Sequence, residues 1–524
     1  MGKSVAKTVG LVLIITMLCK VVAILSNQVF MTHFGVNPEV DIYNYAVQFQ
    51  LYVINCLGTA IFTVMLPMFA GFVGTGEKER AHRYANNLIS LSVILAAILS
   101  VLGIILSPFI ASHNASFNTP EAFDFAVMAL RIMFPVLIFY TLTFIFQGLL
   151  NAQGSFLVPA SVSLYNGLAI ILYVLLLGKK FGVKGLLFAT IIGLSLQAII
   201  QIPALLKTDY RYKPSFNIRD KDIVSALRLI PPILISSSAY QVNMIYNLST
   251  AAKFKDAVSL VVIGQNIATT LVLSLALSIT QVMFPKLTTM VAQGDIKGFK
   301  DTLINILKSM LFLLLPITIG LAAVSHEAIA FIYGYGKFTS ENIIVAAKIV
   351  VLYSIGGIGL GIKEVTDKAF YSLKDTKKPA IVGVVMMVVN ITGSLILLPF
   401  LGVYSIPAAY SIAGLIGGLS GIYILRKKVG PFGLSKLYMF AVKTVICTAA
   451  MAAVVIPAAN MLENLLGRAI MPGTMGLALT NAIKLAVPVG AGIIVFFVLA
   501  VILKITEATE MLGKIKVKFR LKRA

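Results

Sequence analysis

Long apolar runs, separated by short polar segments, dominate this chain from near its start to about residue 503. Each run is long enough for a transmembrane helix of about 20 residues and too long for a barrel strand of about 10. Because lipid offers no partner to an unpaired backbone amide, these runs must be helical. The pattern predicts fourteen spans, near residues 8–32, 43–72, 86–112, 124–150, 157–178, 184–206, 226–250, 257–290, 303–325, 342–372, 380–400, 404–425, 438–460 and 475–503.

The composition indicates an integral membrane protein and excludes a soluble enzyme. Of the 524 residues, 59% are apolar and 12% are charged, whereas soluble domains carry about 25% charged residues. If the N-terminus lies inside, thirty of the 43 lysines and arginines fall in inner segments and seven in outer loops. The positive-inside rule therefore predicts a multi-pass protein of the cell membrane with both termini in the cytoplasm. The same rule places the loops around 77–83, 207–222 and 426–436 there.

The remaining polar chemistry predicts neither a cofactor nor an enzyme. The three cysteines lie inside apolar runs, and none of the four histidines has a histidine or cysteine neighbour at metal-ligand spacing. No nucleotide-binding loop stands out. The basic tail at 506–524 is most simply an anchor that attracts anionic lipid headgroups, so we expect no nucleic-acid partner.

An internal repeat organises the first twelve spans. Matching residues recur at a shift of 218 to 220 positions: Val64–Pro67 with Val282–Pro285, Asn27 with Asn247, and Gly182-Val183 with Gly402-Val403. The repeat predicts two parallel six-helix lobes, at 1–215 and 222–430, followed by two additional helices at 436–505. Transporters use such symmetry to rock one half against the other around a site near the midplane, although duplicated halves can also build static scaffolds.

Polar residues inside the predicted spans are the candidate substrate site. Lys20 lies about eleven residues into the first span, or ~16 Å deep, where a charge is costly unless it faces a polar cavity or a buried hydrogen-bond partner. Amides cluster in the first two spans of each half, where they either line a shared cavity or join helices. Lys363 and Asp367, and likewise Glu364 and Lys368, have the spacing of ion pairs that neutralise each other. The predicted substrate-binding residues are Lys20, Ser26, Asn27, Gln28, Asn55, Gln265, Asn266, Lys363 and Lys368.

The source of energy for transport stays open at this point. The membrane potential would assist outward movement of an anionic headgroup. The seventh span has no carboxylate in mid-membrane, and Asn243 and Asn247 are its polar candidates for a monovalent cation such as sodium.

Two stretches around the tenth span give the chain a family resemblance. Phe331–Phe338, with the sequence FIYGYGKF, and Lys368–Pro379, with the sequence KAFYSLKDTKKP, resemble the lipid II flippase family (MurJ/MviN) of the multidrug/oligosaccharidyl-lipid/polysaccharide exporter superfamily. His33–Asp41 and Val64–Pro67 match the family in position. The resemblance implies two lobes around a cationic cavity for a pyrophosphate-linked sugar headgroup. It also implies that the last two spans form a groove for the polyprenyl tail.

The carried-over positions differ from the family in part. Lys20 stands where the family has an arginine, whereas Ser26-Asn27 stand where it usually has Arg-Asp. Ile54-Asn55 replace paired arginines, and Gln265-Asn266 replace Asp-Arg. Lys363 and Lys368 keep basic character in the tenth span.

The resemblance implies a flippase, active as a monomer, in the bacterial inner membrane. Its substrate would be a polyprenyl-linked peptidoglycan precursor (lipid II), moved from the inner to the outer leaflet. Exporters of another lipid-linked oligosaccharide or polysaccharide, and cation-coupled small-molecule exporters, are the alternatives within the superfamily. A membrane glycosyltransferase or polymerase is the contrasting class, and it would need an outer catalytic loop.

Overall fold

The computed structural model describes residues 2–114, 117, 119–466 and 474–510, and the regular structure among these residues is helical throughout. The basic residues at 511–524 lie outside the described part of the chain. Residues 506–510 form one helical turn. The chain divides into two compact units, with Met1–Ser259 and Gly336–Phe338 in the first, and Leu260–Tyr335 and Thr339–Ala524 in the second.

Nine helices lie in the described part of the first unit. They are α1 (Gly2–Phe34), α2 (Pro38–Gly74), α3 (Lys78–Ser112), α4 (Pro120–Met133), α5 (Val136–Ala152), α6 (Leu157–Leu176), α7 (Gly178–Ile199), α8 (Ile202–Leu206) and α9 (Lys221–Ala251). One buried core joins α2, α3, α5 and α9 through residues such as Met65, Tyr84, Leu149 and Ile223. Helix α1 packs mainly on α6, and α9 packs along α2.

The second unit contains the remaining helices. They are α10 (Val258–Ala292), whose first two residues belong to the first unit, α11 (Ile296–Ala323), α12 (Ser325–Tyr333), α13 (Ser340–Ser372), α14 (Lys377–Leu401), α15 (Ser405–Val429), α16 (Leu434–Leu466) and α17 (Thr474–Ile502). A 3₁₀ turn at Gly402–Tyr404 joins α14 to α15. Phe299, Phe370, Cys447 and Phe496 share one core. The two C-terminal helices are therefore packed against α11 within this unit.

The helices confirm the predicted all-α membrane fold. Twelve stretches of the described chain are long and apolar enough to cross a membrane, and one of them, Lys377–Val429, contains both α14 and α15. The more polar α9 covers the predicted seventh span. Every predicted span thus overlaps a helix, and the predicted count of fourteen is compatible with the structure. The division into two units follows packing, so the lobe boundary at 215 to 222 stays a prediction from the sequence repeat.

Proline and capping residues set several helix ends. Pro135 precedes α5 and Pro203 is the second residue of the short α8, so the fourth and sixth predicted spans are each interrupted. Helices α2, α10, α11 and α16 continue through their prolines. The Asn37 side chain accepts a hydrogen bond from the Val40 amide at 3.0 Å, which begins α2.

Equivalent turns recur at the spacing of the repeat. Gly76 and Gly294, 218 positions apart, have φ of 81° and 74°. The next amide, of Glu77 or Asp295, donates to the carbonyl five residues earlier at 2.9 Å in both turns. Gly182 and Gly402, 220 positions apart, have φ of 59° and 55°. Matching left-handed turns at shifts of 218 and 220 positions support the parallel repeat.

The segment that joins α8 to α9 is tied to α3. The Asn86 Oδ1 atom accepts hydrogen bonds from the Tyr210 hydroxyl at 2.7 Å and the Lys213 amide at 3.1 Å. The Lys78 ammonium lies 2.7 Å from the Asp209 carboxylate, and this pairing lowers the pKa of Asp209 below its usual value. These bonds connect the otherwise irregular segment before α9 to α3.

Candidate functional site

Four of the predicted substrate residues lie on α1. Lys20, Asn27 and Gln28 are half-buried, and Ser26 is buried with its hydroxyl donating to the Ala23 carbonyl at 2.9 Å. Lys20 and Asn27 are seven residues apart, which places them on one helix face with a rise of about 10 Å between them. The Ser26 hydroxyl is therefore hydrogen-bonded within its own helix, whereas Lys20 and Asn27 form a polar stripe along α1.

The remaining predicted residue of the first unit lies on α2. Asn55 is half-buried, and its main-chain carbonyl accepts a hydrogen bond from the Thr59 hydroxyl at 2.5 Å. Five residues before it, Gln50 is buried. Helix α2 therefore carries amide groups into the interior of the unit over more than one turn.

Asn243 and Asn247 lie on α9 in the same unit. Both side chains are buried, with only 1% of Asn247 exposed, and their spacing of four residues puts them on one helix face. Among the described residues, no three or more histidine, cysteine, aspartate or glutamate side chains are grouped as metal ligands would be. The amide oxygens of this pair would be the ligands of the predicted cation site.

The second unit holds the other predicted residues, on α10 and α13. Gln265 is buried and Asn266 is exposed, as expected for neighbours that point about 100° apart around a helix. On α13 the Lys363 ammonium lies 2.5 Å from the Asp367 carboxylate, and the Lys368 ammonium lies 3.2 Å from that of Glu364. Both predicted ion pairs are present, so these four charges near the C-terminal end of α13 compensate each other.

Structure adds a buried polar cluster that the sequence analysis did not single out. The Asp41 carboxylate accepts hydrogen bonds from the amides of Val258 at 3.0 Å and Ser259 at 2.9 Å, and from the Ser259 hydroxyl. The Asn44 amide donates to the Ser259 hydroxyl at 2.9 Å. Asp41 on α2 therefore caps the beginning of α10. One sequence feature could have indicated this contact. Ala257, which precedes α10, has no side-chain acceptor, so the first amides of α10 need a cap from elsewhere in the chain.

The two C-terminal helices carry an ion pair of their own. The Lys484 ammonium on α17 lies 2.8 Å from the Glu463 carboxylate on α16, and the lysine side chain is mostly buried. Lys484 stands inside a predicted span, so pairing with Glu463 removes the cost of an isolated ammonium there. The pair also links the two helices.

Comparisons with known proteins agree with the fold. A sequence model described as "Lipid II flippase MurJ" matches residues 30–474. The chain is 26% identical over 416 residues to a probable lipid II flippase MurJ of Bdellovibrio bacteriovorus, covering 78% of each chain. It is 25% identical over 376 residues to the lipid II flippase MurJ of Burkholderia cenocepacia, covering 69% of this chain and 72% of the relative.

Solved structures show the same architecture. A lipid II flippase MurJ in an inward closed conformation matches with a TM-score of 0.77 at 21% identity, over 94% of this chain and 98% of that one. An inward-facing multidrug transporter of the MATE family matches with a TM-score of 0.64 at 16% identity, over 80% of this chain and 97% of that one. Because the family model spans most of the sequence, the chain belongs to the MurJ family of lipid II flippases.

Proposed function

We propose that this protein moves lipid II, a polyprenyl-pyrophosphate-linked peptidoglycan precursor, from the inner to the outer leaflet of the bacterial inner membrane. The observation that carries the proposal is the match of the lipid II flippase family model to residues 30–474. The presence of Lys20 within a membrane helix agrees with an anionic headgroup as cargo.

Lys20 would contact the pyrophosphate first. An ammonium in a membrane interior is costly unless a polar group or an anion offsets it, so binding of a phosphate oxygen would be favourable there. Asn27 and Gln28 on the same helix and Asn55 on α2 would donate to sugar or phosphate oxygens without adding charge. Within the first unit, the headgroup would thus meet one charge and several amides.

The α13 lysines would contribute by exchange of partners. Lys363 and Lys368 are each paired with a carboxylate, so neither presents an uncompensated charge to a ligand. A pyrophosphate that approached would compete with Asp367 or Glu364, and release would restore the ion pairs. Such exchange suits a transporter, which must both bind its cargo and let it go.

A second candidate cargo is another polyprenyl-linked glycan. Asn27, Asn55 and Gln265 are neutral at positions where the family resemblance implies charged residues. Fewer charged groups would favour a substrate with a larger polar sugar surface relative to its phosphate charge. Energy for the transport of either cargo would come from the membrane potential or from a monovalent cation bound at Asn243 and Asn247. A single copy of the chain would suffice for transport.

Complementation tests the proposed cargo directly. A strain depleted of its own lipid II flippase should regain growth and cell shape when this chain is expressed, and should not regain them with Lys20→Ala at equal abundance. Lack of growth with wild-type protein correctly inserted in the membrane would count against lipid II and favour the second cargo. Cysteine labelling from outside, at introduced positions such as Arg211→Cys, would test whether the loop at 207–222 is cytoplasmic as proposed.

A further inference from the structure

An apolar groove of about 960 Å³ runs along the first unit between α4, α6 and α7. Its walls include Met128 from α4, Leu172 from α6, and Phe188 and Ile192 from α7. The volume is near the upper end of the roughly 300–1,000 Å³ typical of ligand pockets. Lys184 supplies the positive charge among the described residues that line it. A long apolar ligand with an anionic end fits such a lining.

A kink near the beginning of α7 shapes the mouth of the groove. Gly182 has φ of 59°, which interrupts the helical path just before Lys184. The Tyr173 hydroxyl donates to the Gly182 carbonyl at 2.7 Å and fixes this turn. A side chain at Gly185 would collide with the same hydroxyl. The position of Lys184 therefore depends on a defined turn and not on a loose loop.

The length of the groove matches one lipid leaflet. Its lining on α7 begins at Phe181, and the part beyond the kink at Gly182 extends from Lys184 to Leu196. At about 1.5 Å per residue this distance is about 18 Å. Half of a bilayer's hydrocarbon core is about 15 Å. One acyl chain could lie along α7 with its headgroup beside Lys184.

The charges at the mouth favour an anionic headgroup. Lys179, Lys180 and Lys184 are exposed, and no aspartate or glutamate occurs between residues 157 and 206. The acidic residues of the neighbouring α4 are Glu121 and Asp124. The Lys184 ammonium lies over the Phe125 ring of that helix, 5.5 Å from the ring centre. No salt bridge to Lys184 occurs within the described ranges. The ammonium is thus available to a phosphate.

The internal repeat supplies a comparison within the same molecule. The α14–α15 hairpin has the equivalent glycine turn at Gly402, with φ of 55°. At the shift of 220 residues, however, the three lysines correspond to Pro399, Phe400 and Tyr404. The fold alone therefore does not require a basic mouth. We propose that the groove binds one acyl chain of an anionic phospholipid, with the lipid phosphate beside Lys184 and Lys180.

Native mass spectrometry of the purified full-length protein tests this site. The probes are phosphatidylglycerol and phosphatidylethanolamine with identical acyl chains, titrated separately. Ala169→Phe fills the groove without changing charge, because Ala169 lies in its wall. Val389→Phe, at the equivalent position of α14, is the matched control. Lys184→Gln removes the proposed phosphate contact, and Lys253→Gln, an exposed lysine after α9, is its control.

We expect Ala169→Phe to weaken phosphatidylglycerol binding by about tenfold and Val389→Phe to leave it unchanged. Lys184→Gln should abolish the preference for phosphatidylglycerol over phosphatidylethanolamine, whereas Lys253→Gln should retain it. Equal binding by wild type and Ala169→Phe would overturn the site. Displacement of the phospholipid by undecaprenyl phosphate at equal concentration would instead assign the groove to a polyprenyl tail and overturn the phospholipid as its occupant. Neither readout depends on transport.

Discussion

The ion pair between Lys363 and Asp367 is the most directly testable interaction among individual residues. Only 20% of the lysine side chain and 11% of the aspartate side chain are exposed, so removal of one charge leaves the other poorly solvated. We expect Asp367→Asn to lower the free energy of unfolding by about 2 kcal/mol. Thermal unfolding of the purified protein measures this loss. Replacement of both residues, Lys363→Met with Asp367→Leu, should recover most of it.

A more exposed pair in the same unit provides the control. Lys428 pairs with Asp375 in the connection between α13 and α14, and this contact lowers the pKa of Asp375 below its usual value. Because Lys428 is about one-third exposed, Asp375→Asn should cost less than about 1 kcal/mol. Equal losses for Asp367→Asn and Asp375→Asn would contradict the role assigned to burial.

Lys20 tests whether a charge within α1 serves transport or stability. Lys20→Ala should abolish transport and leave the melting temperature within a few degrees of wild type. Lys20→Arg should retain transport because the charge is kept, and Lys20→Glu should be more defective than Lys20→Ala because it repels an anionic headgroup. The measurement is transport per folded molecule, with Lys253→Ala as the control variant. A stable Lys20→Ala protein with wild-type transport would remove Lys20 from the substrate site.

At the scale of helices, the Asp41 cap should stabilise the beginning of α10. Asp41 is buried and accepts bonds from two backbone amides and one hydroxyl. Asp41→Ala leaves those donors without a partner and should cost about 2–3 kcal/mol in unfolding. Thr339→Ala removes the exposed cap of α13 and should cost about 1 kcal/mol or less. Similar losses of unfolding free energy for the two substitutions would show that burial of Asp41 does not strengthen its cap.

The two equivalent turns of the repeat should respond alike to mutation. Gly76 and Gly294 have positive φ, and an added Cβ would meet nothing within 4 Å at either. Gly76→Ala and Gly294→Ala should therefore each cost about 1–2 kcal/mol, through backbone strain alone. Gly71→Ala, at an uncrowded position inside α2, should be neutral or stabilising by up to about 1 kcal/mol. Unequal effects in thermal melts would argue against equivalent turns.

At the scale of the whole molecule, local patterns were predictable and distant pairings were not. The apolar runs located the helices because length and hydropathy decide insertion into lipid. The Lys363–Asp367 pair was predictable because its partners are four residues apart on one helix. Asp41 and Ser259 are 218 residues apart in sequence, so only packing brings them together. The bond between the Tyr43 and Thr190 hydroxyls, at 2.7 Å, is of the same kind.

The candidate site shows the same limit. Polarity within a span identified Lys20, Asn27 and Gln265, since each is costly in lipid without a partner. The direction in which each side chain points depends on helix rotation, and this is why Ser26 is buried beside the half-buried Asn27 and Asn266 is exposed beside the buried Gln265. Apolar residues gave no signal for the groove beside Lys184, because a groove is a property of three packed helices.

The most direct test of the central claim measures lipid II translocation by the purified protein in liposomes. Lipid II placed in the inner leaflet should become accessible to a membrane-impermeant headgroup reagent at a rate that rises with the amount of wild-type protein. Liposomes with Lys20→Ala at equal density should remain at the rate of protein-free vesicles. Exposure at the protein-free rate with folded wild-type protein, under an imposed potential and a sodium gradient, would contradict the assignment as a lipid II flippase.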